Sequence, residues 1–397
     1  MTIDATIPPG KDKPTGSILN DPKVRGIIYQ AVTLLLLIAF IYWVAMNTSE
    51  NLKRANIASG YGFLKGRAGF DVGQSLIAYS SDSTYGRALV VGFFNTILVA
   101  VAGIITATII GFLVGIGRLS KNWLIAKLSM VYVEIFRNIP PLLVIFFWYS
   151  GVLAVLPQPK ESLALPLDMY INNRGLAFPR PVFDSGSHFI LIAFLIAVVG
   201  SILFSRYANK KQMETGQRMP VLWTVIGLLI GLPLLTYFAT GMPISFDIPV
   251  AGKFNLTGGS VIGPEFLSLF LALSFYTASF IAEIVRAGIR GVSHGQSEAA
   301  HALGVRPGLT TRLVVVPQAM RIIIPPLTSQ YLNLTKNSSL AIAIGYSDLV
   351  STGGTILNQT GQAIEIVSIW IVVYLTLSLS TSAIMNWFNA KMALVER

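Results

Sequence analysis

From Ala88 to Gly117 the chain carries no charged side chain, and a run of that kind leaves few ways to fold. A helix rises 1.5 Å per residue, so about 20 apolar residues cross a hydrocarbon core of about 30 Å. Inside that core each backbone polar group must be satisfied within its own segment, which makes such a run a membrane-spanning helix. Further apolar segments occupy residues 27–46, 126–156, 188–204, 221–239, 266–285, 322–344 and 363–388. Of the 397 residues, 53% are hydrophobic and only 12% charged, against about 25% charged in soluble domains. The fold class expected is an all-α integral membrane protein with about eight transmembrane helices.

The net charge of +11 could point to nucleic acid, but its placement reports membrane topology instead. Arg118, Lys121 and Lys127 follow one span; Arg206, Lys210, Lys211 and Arg218 join two others; Arg286, Arg290, Arg306 and Arg312 follow a third. With eight spans, all three groups fall inside, as do both termini. Residues 47–85 hold Lys53, Arg54, Lys65 and Arg67 and are expected outside, because long translocated segments obey the charge bias weakly. Residues 1–25 lack an apolar period and the form of a cleaved signal peptide, so a disordered cytoplasmic tail is expected. No cysteine and three histidines leave nothing for a disulfide or a thiolate metal site. No phosphate-binding GxxxxGK loop occurs, and no HExxH or GxSxG, so the chain is not expected to be an enzyme.

One polar interruption, residues 293–320, reads SHGQSEAAHALGVRPGLTTRLVVVPQAM. Ser293 and Gln296 have capping-box spacing, Gly304 suits a left-handed stop, and Pro307 forbids resumption. The helix expected covers residues 296–303, with Ala299, Ala300 and Leu303 on an apolar face and Glu298 and His301 polar. So short a helix must lean on something. By itself the pattern is better read as a surface connector with ordinary caps. Glu298-Ala299-Ala300, then Gly304, then Val314-x-Val316-Pro317 resembles the EAA loop of bacterial ABC importer permeases, with Val314 and Val316 as departures. Tyr132 through Pro140, Phe275 through Ser279 and Lys336 through Leu340 resemble permeases for polar amino acids, most closely the general L-amino-acid importers.

That resemblance implies a type I ABC importer permease core of five spans, forming a permease domain at 86–397. The additions are an N-terminal span at 26–46 and an inserted loop and hairpin at about 157–263. The coupling loop, 291–320, would be cytoplasmic. Gln296, Glu298, Ala299, Ala300, Leu303 and Gly304 would dock in a groove of an ATP-hydrolysing subunit dimer, which would bind ATP-Mg; no cofactor belongs to this chain. A second, related permease chain and an external amino-acid-binding protein are the other partners implied, in a bacterial cytoplasmic membrane. Spacing alone leaves a homodimer open.

Lipid rejects polar side chains, so those within spans carry information. Tyr276, Ser279, Glu283, Arg286 and Arg290 are spaced 3, 4, 3 and 4, one helical stripe that continues through Ala272 to Ser268. Ser329, Asn333 and Lys336 form another, and residues 335–339 are polar throughout, as in a locally opened helix. Glu134, Arg137 and Asn138 precede Pro140-Pro141, a break from which a half-helix could present free amides. The candidate substrate path is therefore Arg137, Asn138, Tyr276, Thr277, Ser279, Glu283, Asn333, Lys336 and Asn337, with Arg137 suited to a carboxylate and Glu283 to an ammonium. The plainer alternatives are a Glu283–Arg286 ion pair, a Glu134–Arg137 pair in a kinked helix, and interhelical bonding by Asn and Ser. An ion-gradient-driven secondary transporter would also use Glu283 and Lys336, but would leave the capped helix unexplained.

Overall fold

A computed structural model describes residues 22–54, 59–252 and 255–392. Most of the expected tail lies outside these, but residues 22–25 already belong to the first helix, α1 (Pro22–Arg54). Then come α2 (Tyr85–Gly117), α3 (Trp123–Arg137) and α4 (Pro141–Phe146), which runs into a wider π turn, Phe147–Leu153. After a β region the hairpin follows: α5 (Ser187–Thr215), then α6 (Val221–Ile226) and α7 (Leu232–Ala239), joined by a π turn. The last set is α8 (Pro264–Arg290), α9 (His294–Ala302), α10 (Pro307–Thr310), α11 (Val316–Asn337), α12 (Leu349–Thr360) and α13 (Ala363–Met392).

Among the described residues six helical stretches are long and apolar enough to cross a membrane, or eight if each of two bent pairs is one span. This matches the expected number. The third crossing is divided at the expected break, where α3 and the helix from Pro141 to Leu153 meet at 108°. Pro140 and Pro141 cause the break: neither can donate to the preceding turn. Residues 307–344 and α12 meet at 50°.

The core is α8 with α2 along one side and α11 along another, α3 and α4 closing the rest. Small residues let the backbones approach. A Cβ at Gly111 would lie 2.6 Å from Ile281 Cβ, and one at Gly115 2.7 Å from the Ala282 carbonyl. A Cβ at Gly92 would lie 2.8 Å from the Asp348 carbonyl, where α12 begins beside α2. Leu269, Leu273, Ala278, Ile281, Ile323 and Leu334 fill the spaces between.

Two regions expected as plain external loops have structure. Residues 59–84 form a lid over the ends of α2, α12 and α13, with a 3-10 turn at Tyr61–Lys65. Tyr61 bonds Ser368 at 2.7 Å, Tyr85 donates to Gln359 at 3.0 Å, and Asn95 donates to the Gln74 carbonyl at 2.8 Å. Burial, then the Asp71 charge, raises the Tyr79 phenol above its ordinary value, and its hydroxyl donates to the Phe70 carbonyl at 2.8 Å.

The flanks of the hairpin form short antiparallel strands: β1 (Leu163–Leu165), β2 (Met169–Asn172), β3 (Gly175–Phe178), β4 (Arg180–Phe183), β5 (Ile244–Asp247), β6 (Val250–Ala251), β7 (Leu256–Thr257) and β8 (Ser260–Ile262). The order β1-β2-β3-β8 makes one sheet, and β4 pairs with β5. Ala177 faces Val261 and Val182 faces Ser245, so both flanks are stitched together across the hairpin. Strands of two to four residues carry too few alternations to register as a pattern, and their partners are distant in sequence. The basic connection between the hairpin helices is also largely helical, since α5 runs on through Lys210 and Lys211 to Gly216, whose φ of 72° ends it.

Candidate functional site

The interruption between α8 and α11 is built almost entirely by the backbone. Ser293 precedes α9 in extended geometry, but its side chain makes no cap; the Gln296 amide bonds the Ser293 carbonyl at 3.0 Å instead. The Gln296 side-chain oxygen accepts from Gln318 at 3.3 Å, tying α9 to α11, so the expected capping box is not formed. His294 and Glu298, one turn apart, bond at 2.9 Å. At the other end Gly304 has φ +77°, its N–H bonds the His301 carbonyl at 2.9 Å, and Val305 N–H bonds the Ala300 carbonyl at 3.0 Å. These two bonds are a Schellman stop. Pro307 does not prevent a helix here. It occupies the first turn of α10, where its missing N–H has no cost.

The expected apolar face of α9 is split between two jobs. Ala300 is buried against the chain's own structure, whereas Glu298 and Ala299 are exposed and Leu303 is 84% exposed. α9 is thus held from behind and presents a small outward patch.

The α8 stripe points largely into the protein. Ser268, Ala272 and Ser279 are fully buried, and Thr277 nearly so. Ser279 Oγ donates to the Tyr276 carbonyl at 2.7 Å, and Tyr276 packs its ring 5.0 Å from Phe280. The 3-4 spacing identified a face but not its neighbours. Because α8 is central, that face is covered by other helices rather than lining an open wall. Glu283 pairs with both Arg118, at the end of α2, and Arg286. This is the ion-pair alternative with a second cation added, and it pins the ends of α2 and α8 together. Arg118 had been legible only as a topology charge, since nothing local tied it to Glu283.

On α3, Arg137 does not pair with Glu134 among the described residues. Its guanidinium lies 5.7 Å from the Phe280 ring centre, and Asn138 donates to the Glu134 carbonyl at 2.7 Å. The start of α4 offers fewer free amides than expected. The two prolines have none, and Leu143 and Val144 bond the Pro140 carbonyl at 3.0 and 3.4 Å. Tyr132 on α3 donates to the Phe275 carbonyl at 2.7 Å, which fixes α3 against α8.

On α11, Ser329, Asn333 and Lys336 are exposed on one outward stripe, while Leu334, Thr335 and Ser338 are buried and Asn337 is half-buried. The helix does not open at its polar run: it tightens into a 3-10 segment, Ser338–Ile344, ended by Gly345 at φ +77°. Arg137 and Tyr276 thus meet around Phe280, whereas no hydrogen bond or ring contact among the described residues joins Asn333 or Lys336 to them. Among the described residues no cluster of three His, Cys, Asp or Glu is placed to hold a metal.

A bundle of membrane-spanning helices that holds one capped helix outward between two spans is what the EAA-loop resemblance implies for an importer permease. Residues 212–394 match the family described as binding-protein-dependent transport system inner membrane component. Over 381 residues the chain is 71% identical to the general L-amino acid transport system permease protein AapQ of Rhizobium johnstonii, spanning 96% of this chain and 95% of that protein. It is 41% identical over 425 residues to the glutamate/glutamine/aspartate/asparagine transport system permease protein BztB of Rhodobacter capsulatus, spanning 99% of each. The probable glutamine ABC transporter permease protein GlnM of Bacillus subtilis is 30% identical over 212 residues, 93% of itself but 53% of this chain. The chain belongs to the family of binding-protein-dependent transport system inner membrane components.

Proposed function

We infer that this chain is the membrane-spanning permease subunit of an ATP-binding-cassette importer that moves L-amino acids inward. ATP is hydrolysed in a separate subunit, and an external binding protein supplies the substrate. The observation that carries the reading is α9. A nine-residue helix capped at Gly304, braced through Ala300 and Gln318, presents Ala299, Glu298 and Leu303 outward. Such a patch suits a groove on another protein, and its bracing would pass a push to α8 and α11 together. Glu283 argues against the secondary-transporter alternative, because two guanidinium groups already satisfy it.

The finer assignment follows from exposure. Arg137, Asn138 and Tyr276 would touch substrate beside Phe280, while the buried Thr277 and Ser279 would set the shape of the wall. Asn333, Lys336 and Asn337 would face a second, related permease chain, completing the path between the two. Both termini and α9 would lie on the cytoplasmic side, and ATP-Mg would be held by the partner ATPase alone.

The test is uptake in proteoliposomes that hold this chain, its partner permease, the ATPase and the binding protein. Uptake stopped by vanadate and indifferent to an uncoupler supports the importer. The opposite pattern contradicts it.

A further inference from the structure

At the ends of α2, α3 and α8 lies an open cleft of about 330 Å³. Arg118, Lys127, Arg286 and Arg290 line it, together with Trp123. Glu283 engages Arg118 and Arg286, but Lys127 and Arg290 have no carboxylate partner among the described residues. Four cations gathered around a cleft with the single carboxylate of Glu283 leave a net excess of three positive charges, which repel one another unless an anion enters. A second observation says what kind of anion. Beside the cleft α3 exposes Trp123 (75%), Leu124 (56%) and Leu128 (62%), and α3 meets the helix that follows it at 108°. An amphipathic helix with Trp at its edge and Lys behind it matches the headgroup level of a bilayer. A free anion would use the cations and leave the apolar side of α3 without a role.

We propose that this cleft binds the phosphodiester headgroup of an anionic phospholipid, with its acyl chains lying along Leu124 and Leu128. Lys127 and Arg290 supply the charge, Arg118 and Arg286 the hydrogen-bonding forks, and Trp123 the interfacial edge. Because Arg118 and Arg286 also hold Glu283, the bound lipid stiffens the junction of α2 and α8.

The full chain in detergent, titrated with phosphatidylglycerol or phosphatidylethanolamine and read by native mass spectrometry, tests this. The unmutated chain should retain phosphatidylglycerol selectively. The double variant Lys127→Gln, Arg290→Gln should lose about 25-fold in affinity, about fivefold for each cation. A control that removes the same charge elsewhere, Arg206→Gln, Lys210→Gln, should lose nothing. Equal retention by all three chains overturns the proposal, and so does displacement of the lipid by millimolar inorganic phosphate, which would mark a free-phosphate site. The unmutated chain offers a second readout if the double variant does not insert. Brominated phosphatidylglycerol should quench its fluorescence more than brominated phosphatidylcholine, and Trp123→Phe should remove the difference; equal quenching by both lipids overturns the proposal.

Discussion

α8 and the hairpin of α5 to α7 are both long, apolar and membrane-spanning, yet they obey different rules. α8 is buried on nearly every side, and even its serines at 268, 274 and 279 are out of reach of solvent. In the hairpin, α6 and α7 bury no residue, and α5 buries only Ala193, Ala197, Ser201 and Ala208. The polar residues follow the same division. α8 can carry Ser279, Glu283 and Arg286 because neighbouring helices or charges satisfy them, whereas the hairpin keeps its charges at the connection. A span surrounded by protein can hold function; a span surrounded by lipid is constrained to apolar side chains.

The division is sharpest at glycine. Gly111→Val should be the most damaging change, since the new Cβ would lie 2.6 Å from Ile281 Cβ and force α2 away from α8. Overpacking of this kind costs about 1–3 kcal/mol or more. Gly227→Val in the hairpin meets nothing within 4 Å. Thermal unfolding followed by size-exclusion chromatography should show Gly111→Val aggregating while Gly227→Val resembles the parent; similar behaviour would erase the distinction between the regions.

Glu283→Gln comes next. It leaves the Arg118 and Arg286 guanidiniums facing each other without a carboxylate, at a junction where these side chains are only 13–24% exposed. The chain should insert but lose half-life in detergent, with substrate preference unchanged. A stable protein with shifted preference would return Glu283 to the substrate path.

Gly304→Val should cost about 1–2 kcal/mol locally, because φ of +77° is unfavourable for a β-branched residue. Uptake should fall while the amount of inserted chain stays normal, a split that quantitative blotting against uptake would reveal. The smallest effect belongs to Leu235→Ala in the hairpin, a side chain 68% exposed that packs on little of this chain. Its stability should change by less than about 0.5 kcal/mol.

Much of the molecule could be read from sequence for reasons these regions illustrate. The spans were legible because hydrocarbon demands apolar length, and the bend at Pro140-Pro141 because a proline pair strips the turn of its donors, although Pro325-Pro326 sit inside the continuous α11. The stop at Gly304 was legible because its left-handed geometry favours glycine. The capping box at Ser293 was not, since Gln296 finds Gln318 on another helix. The stripe on α8 showed periodicity but not direction, and Arg118 joins Glu283 from 165 residues away. The strands flanking the hairpin are too short to show a period, and they depend on partners far along the chain.

The central claim is that α9 seats in an ATPase groove, and its outward residue permits a direct measurement. The chain has no cysteine, so Leu303→Cys introduces the sole thiol. In membranes that contain the ATPase subunit, a cysteine at 303 should cross-link to it and become protected from a water-soluble maleimide. Leu222→Cys at the start of α6 should do neither. If the cysteine at 303 labels equally with and without the ATPase and forms no cross-link, α9 is not the coupling element.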